Sequence, residues 1–146
     1  MSITSLDAVL KIFRGADPTP EEQAELANEV MLMTLARATS ADSNIKNVEV
    51  ETVQAVLKQH TGQDFSSADV RVAAQSKIFE SAPLDKYLAS ASRKLTASAR
   101  SDIARSLVEI IEADGRVSTL EIDFFNMFAD AMNLSAAEIA GLIESS

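Results

Sequence analysis

Four short boxes punctuate this chain: Thr-Pro-Glu-Glu from Thr19, Ser-Ser-Ala-Asp from Ser66, Ser-Thr-Leu-Glu from Ser118 and Ser-Ala-Ala-Glu from Ser135. Each sets a hydroxyl three residues before an acid. That spacing lets the hydroxyl accept from the third helical N–H while the acid returns a bond to the capping residue. Pro20 suits a first helical position, where its missing N–H costs nothing. Apolar residues recur at three- and four-residue spacing in Leu26, Val30 and Met33, and in Ile103, Leu107, Ile110 and Ile111, the period of a helix face. Gly15, Gly62 and Gly115 follow periodic segments, as residues in the left-handed conformation after a helix do. Pro83 can open another helix. No run alternates cleanly between turn signals, so no strand is predicted. The fold class is all-α: a single domain, residues 1–146, of seven to eight helices near 4–14, 20–41, 48–61, 67–81, 84–95, 97–113, 119–132 and 136–144.

The chain also resembles itself. With ADSNIKNVEVETVQAVL (Ala41–Leu57) set above ADGRVSTLEIDFFNMFA (Ala113–Ala129), a constant offset of 72 pairs Asp42 with Asp114, Ile45 with Val117, Glu49 with Glu121 and Glu51 with Asp123. After a slip of three residues, Phe65–Val70 meets Leu134–Ile139. Two pseudo-symmetric helix–turn–helix repeats follow, one over about 20–81 and one over about 97–144. Two copies are too few for a solenoid, so they are expected to pack face to face around one core. Phe124, Phe125 and Phe128 read as core of the second copy.

Composition removes several classes of function. A chain of 146 residues buries roughly two thirds of its unfolded surface as one domain. Thirteen basic against twenty-two acidic residues leave a net charge of −9, so nucleic acid, which needs clustered Lys and Arg, is not an expected partner. The longest apolar run, Val30–Ala36, is too short to span a membrane. The first residues lack a basic leader and cleavage site, and there is no cysteine; both agree with a cytoplasmic setting. Without cysteine there is no thiol nucleophile, and the serines have no evident histidine partner. His60 sits near Gly62 at a helix end, where a cation suits the dipole. No enzyme is expected. The charge is uneven: Leu107 to the end carries eight acids and Arg116 alone, whereas Lys86–Arg105 carries five basic residues and Asp102 alone. Two solvated helix faces, or a surface for docking a protein partner, would both look like this.

The stretch EADGRVSTLE (Glu112–Glu121) concentrates the candidate chemistry. Most of it is helix punctuation: Gly115 stops one helix, Ser118 and Glu121 start the next, and Val117 with Ile122 forms a hydrophobic staple, as Ile45 and Val50 do earlier. Asp114 fits less well. An acid in a last turn faces the negative end of the dipole at a cost of some tenths of a kcal/mol to about one. Its compensation is the turn's N–H groups, Arg116 or a cation. Numbered as a calcium loop, Asp114, Gly115, Val117 and Glu121 fall at positions five, six, eight and twelve, with Glu112 at three. Position one falls on Ile110, which offers no oxygen, so the alternative is a degenerate EF-hand-like calcium-binding protein.

The doubled Ala-Asp-Gly-x-(Val/Ile)-x-x-x-Glu pattern, flanked by amphipathic helices, resembles the TerB tellurite-resistance family from about Val30 to Ile143. The first copy departs from it at Ser43, although Asn44 beside it tolerates a left-handed backbone. The resemblance implies an all-α fold of about seven helices in two halves and a non-enzymatic role in tellurite or stress response. It implies a link to an integral-membrane partner, so the uneven charge reads as that of an adaptor presented to a protein partner, a membrane protein at the cytoplasmic face among the candidates, with the domain at the inner membrane periphery without inserting. It also implies a divalent cation (calcium, magnesium or zinc) on acidic residues. Carried over by position, those are Asp42 and Glu49 from the first copy and Asp114 and Glu121 from the second.

Overall fold

The computed structural model describes residues 19–39, 49–75, 83–113 and 119–144. They form seven helices: α1 (Pro20–Ala38), α2 (Val50–Thr61), α3 (Ser67–Ala74), α4 (Leu84–Ser92), α5 (Ala97–Glu112), α6 (Thr119–Ala131) and α7 (Ala136–Glu144). There is no strand among the described residues, and the protein is all-α as expected. The helix expected at 4–14 lies outside the described residues, as do Gly15, Gly115 and Ser118.

Three of the four boxes cap helices as their spacing requires. Thr19 Oγ1 accepts from the Glu22 N–H at 3.1 Å, and Glu22 Oε1 accepts from the Thr19 N–H at 3.0 Å. Ser66 and Asp69 open α3 with the same exchange, and Ser135 and Glu138 open α7. The bonds from Ser135, its backbone N–H first, hold the Glu138 carboxyl below its ordinary value. Gly62 ends α2 at φ 73, and its N–H donates to the Lys58 carbonyl. The end of α6 is built differently. Asn133 takes the left-handed conformation at φ 55, the Leu134 N–H reaches the Ala129 carbonyl, and the Asn133 N–H reaches that of Asp130. These two bonds define a Schellman end with asparagine where glycine is usual.

Helix α1 is the axis of the fold. It packs against α2, α3, α4 and α5, and every residue from Glu29 to Ala36 is buried. A helix covered on all sides needs apolar residues all round, which explains why the longest apolar run of the sequence lies here. The Thr34 hydroxyl in this run donates to the Val30 carbonyl, so its burial leaves no donor unmet. Helix α5 lies along α1 and also meets α2, α6 and α7. Ile103, Ala104 and Leu107 of α5 are fully buried, and Phe128 and Met132 close the core from the α6 side. Tyr87 of α4 is buried against it, and burial together with the Glu29 charge pushes its hydroxyl pKa far up. No helix among the described residues is long and apolar enough to cross a membrane.

Candidate functional site

The two three-helix segments close differently. In the first, α3 packs on both α1 and α2; in the second, α7 packs on α5, and a cleft opens beside α6. Val108, Ile111 and Glu112 line it from α5, Glu121, Ile122, Phe125 and Asn126 from α6, and Ile139 from α7, around a volume of about 240 Å³. Residues 108, 111 and 112 stand at helical spacings of three and four, as do 122, 125 and 126. Each helix thus contributes one stripe, and the lining is mainly apolar.

Phe124 and Phe128 are core residues, as their spacing predicts. Phe125 is half-buried: it packs against that core, with its ring 6.5 Å from that of Phe128, and also lines the cleft. Ile122, read as half of a hydrophobic staple, is 48% exposed and lines the cleft; its partner Val117 lies outside the described residues.

The four acids carried over by position fall into different settings. Asp42 and Asp114 lie outside the described residues. Glu49 occupies the capping position of α2, exposed, with no side-chain cap bond. Glu121 sits in the first turn of α6 with 1% of its surface exposed and lines the cleft, together with exposed Glu112. Among the described residues no group of three His, Asp or Glu side chains is arranged to hold a metal ion.

The structure gives other acids of the C-terminal segment structural partners. Glu109 Oε2 lies 2.5 Å from His60 Nε2, and Asp102 Oδ1 lies 2.8 Å from His60 Nδ1. Both ring nitrogens thus face carboxylates of α5, an arrangement that only the imidazolium satisfies as a double donor. Burial opposes the charge, but the bonds to Glu109 and Asp102 and their negative charges prevail, so the His60 pKa is raised above 6.5. The histidine read as a dipole-facing cation is a clamp between α2 and α5. Its partners lie 42 and 49 residues away, beyond any local signal. With Glu109 held by His60 and Glu138 capping α7, the acids left exposed around the cleft and along α6 are Glu112, Asp123 and Asp130.

A family model described as "Tellurite resistance protein TerB" matches residues 16–142, so the chain belongs to that family. Comparison with curated proteins and with solved structures finds no match.

Proposed function

We propose that this TerB-family domain is a non-enzymatic adaptor in a tellurite or stress response, and that it works by holding a protein partner. The observation that carries this reading is the apolar cleft between α5, α6 and α7, where Ile122 stands half-exposed beside Glu112. An exposed apolar patch rimmed by polar groups is the usual mark of an interaction surface. The location that fits is the cytoplasmic side, with a membrane-protein partner at the inner membrane as one candidate. The test is in-cell crosslinking under tellurite with the wild type and Ile122→Asp. A partner crosslinked at the cleft and lost in the variant, together with lowered tellurite survival, supports the adaptor. Equal crosslinking and equal survival would remove it.

A divalent cation on Asp42, Glu49, Asp114 and Glu121 is the second reading, favoured by the depth of the Glu121 carboxylate. Melting curves with millimolar calcium, magnesium or zinc separate the two. A bound cation adds RT ln(1 + [L]/Kd), about 2.7 kcal/mol at a hundredfold excess over Kd, and Asp114→Asn would remove that gain. The metal-free adaptor melts at the same temperature with and without the ions.

A further inference from the structure

We infer that the cleft receives an amphipathic helix of the partner, with apolar residues on one face and Lys or Arg beside them. This deepens the adaptor reading and rests on it. The walls of the cleft are two helix stripes at three- and four-residue spacing, the lining that a third helix fills with its own residues at the same spacing. The volume of about 240 Å³ falls below the roughly 300 Å³ at which small-molecule pockets begin. It therefore suits a few anchoring side chains better than an enclosed ligand. Ile122, at 48% exposure, is the anchor on this side.

Charge selects the chemistry of the occupant. Glu112 is the exposed acid of the cleft wall, whereas Asp123 and Asp130 are exposed elsewhere on α6. Arg105 is exposed on α5 one turn before Val108, so it is the excess of acids over the whole chain, −9, that sets the sign of the field. Anionic lipid and nucleic acid are repelled by such a surface. A helix with flanking Lys or Arg is attracted, and the field sets its orientation and speeds encounter.

The test uses the full chain and a fluorescein-labelled synthetic helix of four to five turns, with Leu along one face and Lys on its flanks. Two further peptides serve as controls, one with the Lys replaced by Glu and one with the same residues shuffled off one face. Fluorescence anisotropy should show binding of the first peptide alone, weakening as salt rises. Ile122→Asp and Asn126→Lys should each weaken it at least tenfold. Val72→Asp, which alters an equally exposed apolar residue on α3, should leave it unchanged. Circular dichroism melts check the fold; should Ile122→Asp unfold, Asn126→Lys, at an exposed position, decides the matter. Three peptides binding alike, or Val72→Asp weakening binding as much as Ile122→Asp, would overturn the inference. So would sedimentation showing a dimer of the wild type that Ile122→Asp dissolves, because a second copy would then fill the cleft. Co-sedimentation of the chain with phosphatidylserine vesicles, lost in Ile122→Asp, would assign the cleft to a membrane instead. If crosslinking in cells still depends on Ile122 while the basic peptide fails to bind, the adaptor stands and the partner's chemistry is different.

Discussion

Replacing His60 by glutamine tests whether the clamp between α2 and α5 is ionic. In the wild type 9% of the His60 side chain is exposed, against 44% for Asp102 and 33% for Glu109. A hydrogen bond to a charged group contributes about 1.5–3 kcal/mol when sheltered. The half-exposed acids and salt screening place each bond at or below the lower end of that range. Glutamine keeps one donor and loses the charge, so the expected loss is about 2 kcal/mol near pH 6, or about 6–10 °C in melting temperature for a domain of this size. The dependence on pH carries the argument. The folded pKa lies above the unfolded value of 6.5, so the stabilisation is complete below about 6.5 and is lost as pH rises through the folded pKa. Above that pKa neutral imidazole has one donor, and its other nitrogen turns a lone pair towards a carboxylate. The gap between wild type and His60→Gln should therefore close, or reverse, once the pH passes the folded pKa. His60 is the chain's only histidine, so its ring protons titrate without overlap in proton NMR. A midpoint at or below 6.5, or a melting-temperature gap that stays constant as the pH crosses the midpoint found by NMR, would refute the imidazolium clamp.

Three further substitutions address the packing and the helix ends. Leu35→Ala, at a fully buried position on α1, should cost about 2–5 kcal/mol in urea unfolding, since it removes buried methylenes and leaves a cavity. Gly62→Ala meets nothing within 4 Å of the added methyl, so its cost is the left-handed backbone alone, about 1–2 kcal/mol; a neutral result would mean that the turn had changed shape. Asn133→Gly should stabilise by some tenths of a kcal/mol to about one, and Asn133→Ala should destabilise by a similar amount, because φ 55 favours residues without a Cβ penalty. Thermal melts of the pair check both signs.

What the sequence revealed was what is decided within a few residues. The helices begin and end close to where their caps place them because Thr19, Ser66, Ser135 and Gly62 act on the N–H and carbonyl groups of one turn. Asparagine is a weaker stop signal than glycine, so Asn133 at φ 55 does not mark the end of α6 in the sequence as Gly62 marks that of α2. The Phe stripe was legible only as a stripe. Phe124 and Phe128 stand four apart on one face, whereas Phe125 shares its face with Glu121 and Ile122, and nothing local says which face a neighbour will leave open. The partners of His60 were out of reach for the same reason: the contact is tertiary.

The doubled pattern drew attention to what the two segments share, but the cleft lies where they differ. An offset of 72 carries Glu49 onto Glu121 and Val50 onto Ile122, yet α2 starts at Val50 and α6 starts three residues before Ile122. The same letter is therefore an exposed capping position in one segment and a buried first-turn residue in the other. A helix N-terminus favours an acid in both places, so local electrostatics alone accounts for glutamate recurring. What local electrostatics does not set is burial. That is set by tertiary packing: Glu121 lies in the wall shared by α5, α6 and α7, whereas Glu49 stands at the exposed start of α2. Two segments matched in pattern can thus share a core and still differ in what they bury, with Ile122 and Phe125 lining a cleft in the second.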